Sequence, residues 1–133
     1  MSQMITPVVT DVNRGFWEGA AEGVLRVQRC PVCGHLRYPL ARWCPECLTD
    51  GAEWVDLSGR GTILSKLVFH QKYHAAWADR LPYNVVLVQL EEGPRMISNV
   101  EPLSATSFAV GDAVTAVFVK EGDVTIPRFR LAD

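Results

Sequence analysis

The stretch that decides the fold is Cys30-Pro31-Val32-Cys33-Gly34, followed after residues 35–43 by Cys44-Pro45-Glu46-Cys47. It holds all four cysteines of the chain as two Cys-x-x-Cys pairs, with ten residues between the pairs. Two residues between cysteines let a tight turn aim both sulfurs at one ion, and four thiolates suit the tetrahedral preference of Zn²⁺. The sequence therefore predicts a structural Zn²⁺ bound by Cys30, Cys33, Cys44 and Cys47.

Iron is the alternative metal, because a rubredoxin also uses four thiolates and the first pair, with Gly34 behind it, is rubredoxin-like. The second pair is followed by Leu48 instead of glycine, which favours zinc. A thioredoxin-like redox pair needs a βαβ context, and the pattern around the cysteines does not supply one. A closed four-cysteine site has no open coordination position, so its ion is expected to hold structure and to do no chemistry.

Composition and charge narrow the class further. The chain has 133 residues, of which 48% are apolar, and a net charge of −2, with a pI of about 5.9. Non-specific nucleic-acid binders usually have a pI above about 9. The N-terminus lacks the basic start followed by a long apolar run that marks a signal peptide. No stretch of the sequence approaches the roughly 18 apolar residues of a membrane span. We therefore expect a cytoplasmic protein, in whose reducing environment clustered thiols bind metal.

A short helix is predicted across residues 11–23. Gly15 and Gly19 weaken it by up to about 1 kcal/mol each relative to alanine. Phe16 and Trp17 must therefore pack against something, either this chain or another one. The predicted apolar stripe, at i, i+3, i+4 and i+7, consists of Trp17, Ala20, Ala21 and Val24.

The chain divides into three predicted parts: an N-terminal helical segment at residues 1–26, the zinc ribbon at 27–53 and a strand-rich part at 54–133. Five β-rich runs separated by turn residues lie in the third part, at residues 62–69, 83–90, 95–100, 114–119 and 126–131. Five strands that close into a small barrel hide their edges, and the OB-fold is the commonest architecture of that size. An SH3-like barrel fits the same pattern. The predicted fold class is mainly β: an N-terminal helix, a rubredoxin-like four-cysteine zinc ribbon, then a five-stranded OB-fold barrel.

No catalytic residue is predicted. The sequence lacks a Gly-x-Ser-x-Gly elbow, a P-loop and a Gly-x-Gly-x-x-Gly motif. Its four cysteines are committed to metal, and its three histidines, His35, His70 and His74, form no general-base constellation. Such a chain is expected to bind other molecules and not to catalyse a reaction alone.

Two sets of residues are candidates for binding. One, between the first two barrel strands, consists of His70, Lys72, Tyr73, His74, Trp77 and Arg80. Its side chains either form a solvated loop over the barrel mouth or contact a partner or CoA, since cations meet phosphates and aromatic rings stack on adenine. Phe16 and Trp17 are candidates for the same contact. The other set, Arg26, Arg29, Arg37 and Arg42, is either a solvated face or a site for nucleic acid or an acidic partner.

The order of these motifs resembles the DUF35 family of zinc-ribbon, OB-fold proteins, and the likeness spans roughly residues 12–131. The residues that carry it are Phe16-Trp17-Glu18-Gly19, residues 28–34, Tyr38-Pro39, Cys44-Pro45-Glu46-Cys47, Gly59-Arg60-Gly61, Pro82-Tyr83 with residues 85–93, and Val110-Gly111-Asp112.

The resemblance implies an accessory role. Members of the family are typically bound to thiolase-fold enzymes that act on acyl-CoA, namely thiolases and lipid-transfer-protein-like aldolases that cleave steroid side-chain CoA thioesters. The expected function is a non-catalytic subunit of such a hetero-oligomer, which stabilises the enzyme and helps to form its CoA-thioester site. Two alternatives stay open: a single-stranded nucleic-acid-binding OB-fold protein, and a stand-alone acyl-CoA binder or enzyme.

Overall fold

The computed structural model describes residues 8–69 and 83–132. In chain order the elements are helix α1 (Arg14–Ala21) and strands β1 (Leu25–Arg29), β2 (Leu36–Arg37), β3 (Glu53–Leu57), β4 (Arg60–Phe69), β5 (Tyr83–Leu90), β6 (Arg95–Ser98), β7 (Ala113–Glu121) and β8 (Val124–Leu131). The fold is mainly β, which confirms the predicted class. Among the described residues, no helix has the length and apolar character needed to cross a membrane.

Helix α1 buries a different face from the one predicted. Its buried positions are Gly15, Phe16, Gly19 and Ala20. Of the predicted stripe, Ala20 is buried and Trp17 is half-buried against the core, but Ala21 is exposed, so the prediction is wrong at that position. Close packing is the reason: a Cβ on Gly15 would lie 2.4 Å from the ring of Trp54, and one on Gly19 would lie 2.6 Å from the Cβ of Arg26. The glycines that weaken the isolated helix let it lie directly on the first sheet.

This first sheet has three antiparallel strands in the order β2-β1-β3. Its central strand begins at Leu25 and its last strand ends at Leu57, so the sheet extends across both segment boundaries that the sequence suggests. Its cross-strand partners include Arg26 opposite Asp56 and Gln28 opposite Arg37. The ribbon therefore grows out of a sheet that also supports the helix.

The second sheet has five antiparallel strands in the order β6-β5-β4-β7-β8, and each strand matches one of the five predicted runs. Strand β4 pairs with β5 along almost its whole length, with a register shift between Ile63 and Ser65. A bulge of this kind bends a strand and raises its twist. The sheet accordingly curls into an OB-like half-barrel around a core that includes Ile63, Val88 and Phe129, all fully buried.

The two edges of the curled sheet meet through a parallel bridge between Val100 and Phe129. The Glu101 N–H donates to the Phe129 carbonyl at 2.7 Å, and the Phe129 N–H donates to the Asn99 carbonyl at 2.9 Å. Asn84, which is fully buried, holds the same segment: its Oδ1 accepts from the Val100 N–H at 2.7 Å. Hydrogen bonds thus join the two edges at this point.

A charged group lies beneath this junction. Arg128, whose side chain is 4% exposed, bonds Glu101 at 2.7 Å and Glu121 at 2.8 Å. A buried guanidinium is tolerated only when it is paired in this way. The pairing ties β7, β8 and the segment after β6 to one another.

Candidate metal centre and contact surface

The first cysteine pair lies on the hairpin that follows β1. Cys30 comes directly after the strand, and its N–H donates to the His35 carbonyl at 2.9 Å. The Gly34 N–H donates back to the Cys30 carbonyl at 3.0 Å, which closes the turn. Gly34 has a φ of +78°, a conformation that glycine adopts without steric cost. The turn therefore places the sulfurs of Cys30 and Cys33 on the same side of the hairpin.

The second cysteine pair repeats this geometry. The Cys44 N–H donates to the Thr49 carbonyl at 2.9 Å, and the Leu48 N–H donates to the Cys44 carbonyl at 2.8 Å. Leu48 has a φ of +63°, so it adopts the left-handed conformation that Gly34 has in the first turn. A side chain there costs roughly 1–2 kcal/mol. The missing glycine noted in the sequence therefore strains the turn but leaves its shape unchanged.

The four sulfurs come together at one point. All four ligand atoms lie within 4.8 Å of one another, with 3.5 Å between Cys30 and Cys47 and 3.6 Å between Cys33 and Cys44. A disulfide would need about 2.05 Å, whereas sulfurs about 2.3 Å from a tetrahedral ion lie roughly 3.8 Å apart. The residues therefore fit a four-thiolate metal site, and the structure brings all four predicted ligands together.

Hydrogen bonding prepares one of these thiols for metal. The Cys33 N–H donates to the Cys30 sulfur at 3.5 Å, and this backbone bond is the main cause that lowers the pKa of Cys30 from 9.0 to about 6. A thiol must lose its proton to bind a metal ion. Cys30 and Cys44 are buried, whereas Cys33 and Cys47 are exposed.

The predicted contact residues fall into two groups. Phe16 is 4% exposed and belongs to the core of this chain; its ring lies 5.7 Å from that of Tyr38 and 4.9 Å from that of Trp17. Trp17 is half-buried, and its Nε1 is buried with no hydrogen-bond partner in the described part of the chain. The other candidates, His70, Lys72, Tyr73, His74, Trp77 and Arg80, lie outside the described residues, and their contact role stays a prediction.

The ribbon arginines do not form a free basic face. Arg26 bonds Asp56 at 2.7 Å and Arg29 bonds Glu53 at 2.9 Å, and Arg42 bonds Asp50 in the same manner. The fourth one, Arg37, is 1% exposed. Three of the four positive charges are thus matched by neighbouring carboxylates, and the fourth is withdrawn from solvent.

An exposed apolar surface that the sequence did not predict lies on the outside of the barrel. We call it the outer aliphatic patch; it consists of Leu67, Val85, Leu87 and Ile97. Leu67 lies directly opposite Val85, and Leu87 lies directly opposite Ile97, so the four side chains form one block across three strands. Leu67 is 59% and Ile97 is 71% exposed. The stacked rings of Phe69 and Tyr83 adjoin it at the strand ends, with centroids 5.2 Å apart.

The signal for this patch was present in the apolar run at residues 85–88. That run predicts a buried strand, yet only Val86 and Val88 are buried, while Val85 and Leu87 face outward and are half-buried. A strand of a half-solvated antiparallel sheet should alternate between apolar and polar residues. The strand therefore has apolar side chains on both faces, and only one of these faces belongs to the core.

A four-cysteine ribbon followed by an OB-like barrel defines the class of protein. The family model described as "ChsH2, rubredoxin-like zinc ribbon domain" matches residues 17–53, and "ChsH2, C-terminal OB-fold domain" matches residues 54–119. A "DUF35 domain-containing scaffold protein" of Methanothermobacter thermautotrophicus is 37% identical over 93 residues, which make up 69% of each chain. The chain belongs to the DUF35 family, as the sequence motifs predicted.

Other similar proteins are named as subunits of CoA-dependent enzymes or as part of an aldolase. A "Probable enoyl-CoA hydratase alpha subunit" of Thermomonospora curvata is 32% identical over 127 residues, which cover 95% of this chain but only 39% of that protein. "Benzoylsuccinyl-CoA thiolase subunit BbsA" of Thauera aromatica is 30% identical over 98 residues, covering 71% of this chain and 66% of that one. A chain of the solved "Ltp2-ChsH2(DUF35) aldolase" is 31% identical with a TM-score of 0.85, covering 96% of this chain and 100% of that one.

Proposed function

We propose that this chain is a non-catalytic subunit that binds a thiolase-fold acyl-CoA enzyme, either a thiolase or a retro-aldolase of the kind that cleaves steroid side-chain CoA thioesters. In this role it stabilises the enzyme and helps to form its CoA-thioester site in a hetero-oligomer. The names of the thiolase subunit and of the aldolase to which the chain is similar support this function.

The outer aliphatic patch is the observation that carries the proposal. Strands 2 and 3 of an OB-fold commonly form its ligand-binding face, and β5 and β6 are those strands here. Ligand faces for nucleic acid combine cations with stacking aromatic rings, whereas the four side chains of this patch are aliphatic and uncharged. Desolvation of such a surface favours an apolar surface of another protein. Arg26, Arg29 and Arg42 of the ribbon are paired with carboxylates, which also argues against binding of nucleic acid.

The metal is proposed to be Zn²⁺ with a structural role. Four cysteine sulfurs already fill a tetrahedral shell, so the ion would have no position for substrate. Its part in the function is to hold the ribbon in shape beside the barrel. Metal analysis of the purified chain is expected to find one equivalent of zinc; iron, or no metal, would contradict this part.

Co-expression with a thiolase-fold acyl-CoA enzyme of the same organism tests the main proposal. Light scattering should find a hetero-oligomer, and acyl-CoA turnover by the enzyme should fall when the chain is left out. Leu67→Asp and Ile97→Asp each place a charge in the patch, which should weaken the complex at least about tenfold, as expected for a residue near the centre of an interface.

Leu131→Asp is the matched control, because Leu131 is also an exposed aliphatic residue, at 41%, at the far end of β8. It should leave the complex intact. Patch variants that bind the enzyme as tightly as the control would refute the assignment of the patch. A homodimer of the isolated chain that the patch variants dissociate would also refute it, since the patch would then serve a second copy.

Two cheaper measurements address the alternative functions. Calorimetry of the isolated chain with acetyl-CoA should show no binding, and a labelled single-stranded oligonucleotide should not shift in a low-salt gel. A clear signal in either experiment would favour the corresponding alternative over the proposed subunit.

A further inference from the structure

The second cysteine pair lies on a hairpin that the rest of the chain holds only lightly. We call residues 41–51 the second hairpin; one bridge, between Trp43 and Asp50, joins its two arms. In the described structure its backbone-to-backbone hydrogen bonds stay within the hairpin, including the Gly51 N–H to Arg42 carbonyl bond at 3.0 Å. Backbone pairing therefore does not place Cys44 and Cys47 relative to the first pair.

Two buried side chains hold the hairpin instead. Gln28 and Arg37 are direct cross-strand partners on β1 and β2. The Ala41 N–H donates to Gln28 Oε1 at 2.9 Å, and the Ala41 carbonyl accepts from Arg37 Nη1 at 2.7 Å. Arg37 Nη2 donates to the Gly51 carbonyl at 3.1 Å. The Arg37 guanidinium thus binds both ends of the second hairpin, at Ala41 and at Gly51. Gln28 also binds Ala41.

The burial and the bonding geometry of Arg37 require an arginine at this position. Arg37 is 1% exposed, and its two terminal nitrogens donate to the backbone carbonyls of Ala41 and Gly51. A planar guanidinium carries donors in a fixed fork, whereas a lysine ammonium is a point charge on a flexible stem. Its positive charge also contributes to lowering the pKa of Asp50, after the larger effect of Arg42. A four-thiolate zinc centre is a net anion, so a buried cation in the ribbon suits it as well.

We infer that Gln28 and Arg37 form a clamp that positions the second cysteine pair for metal binding. Neither residue touches the ion; each acts through the backbone of the second hairpin. Partners outside the ligand shell commonly change metal affinity by about 10- to 100-fold. The inference rests on the proposed zinc site, but it concerns how the chain builds that site and not which enzyme it joins.

The test uses the full-length chain loaded with Zn²⁺. Arg37→Met removes both bonds of the fork, so competition with a chromophoric chelator should show zinc affinity about 10- to 100-fold weaker than in the wild type. Arg37→Lys keeps the charge but cannot reproduce the fork, and its affinity should fall between the two. Arg29→Met is the control, because Arg29 lies on the same strand pair but is exposed and bonds the Glu53 carboxylate.

Site-resolved alkylation separates positioning from general loss of stability. Iodoacetamide under single-hit conditions, read by mass spectrometry, reports which thiol reacts first. In Arg37→Met the reaction at Cys47 should rise relative to that at Cys33, because only the second hairpin loses its anchor. Equal acceleration at both thiols, or a zinc affinity within about twofold of the wild type, well short of the expected loss, would overturn the clamp. Wild-type chain that binds no zinc would instead refute the proposed zinc site itself.

Discussion

Replacing Gly19 with alanine sets two physical effects against each other. In an isolated helix the change gains about 1 kcal/mol, because alanine loses less conformational entropy than glycine. In the folded chain the new Cβ would lie 2.6 Å from the Cβ of Arg26 and 3.1 Å from the Val24 carbonyl oxygen. Both atoms are close to the backbone and cannot rotate away.

The size of the clash follows from these distances. Ordinary contact begins at 3.4 Å, so helix α1 must withdraw from β1 by about 0.8 Å, the difference between 3.4 and 2.6 Å. Withdrawal opens a gap beneath Phe16, which is 4% exposed. Overpacking of this kind costs about 1–3 kcal/mol. After the helical gain of about 1 kcal/mol is subtracted, we expect a net loss of up to about 2 kcal/mol and a melting temperature lower by up to roughly 7 °C.

Thermal and urea denaturation of the metal-loaded protein measure the effect. Glu18 is exposed on the same helix, so the pair Glu18→Ala and Glu18→Gly calibrates the helical term, with alanine more stable by about 1 kcal/mol. If Gly19→Ala is also more stable than the wild type by that amount, the helix does not lie on β1. Phe16 and Trp17 would then be available to a partner protein.

Two further predictions concern buried charge and backbone strain. Arg128→Leu removes the buried cation that bonds Glu101 and Glu121 and should cost about 3–5 kcal/mol in chemical denaturation. Arg60→Leu, which breaks an exposed pair, should change stability little; equal effects of the two substitutions would contradict the buried network. Leu48→Gly relieves a left-handed backbone at φ +63°, which costs roughly 1–2 kcal/mol, on a side chain that is 75% exposed. Glycine loses about 0.5–1 kcal/mol more in conformational entropy on folding, so the change should stabilise the chain by up to about 1 kcal/mol; a loss of stability would show that the Leu48 side chain contributes a contact.

The metal ligands could be predicted from the sequence because their spacing acts locally. Two residues between cysteines define a turn whatever lies elsewhere in the chain, and two such turns leave four thiols for one ion. The five strands were predictable for a similar reason, since β-branched and apolar runs bounded by turn residues need no knowledge of their neighbours. Family membership followed from the order of these local motifs.

Register and close packing, in contrast, are relations between distant residues, and only the tertiary structure decided them. Arg37 looked like one of four surface arginines until the pairing of β1 with β2 placed it beside Gln28, with the second hairpin above both. Val85 and Leu87 looked buried until the curl of the sheet turned them outward. A sequence shows which side chains are apolar enough to be buried. Which face of a helix or strand is buried depends on the elements that pack against it, and these elements lie far away in the chain.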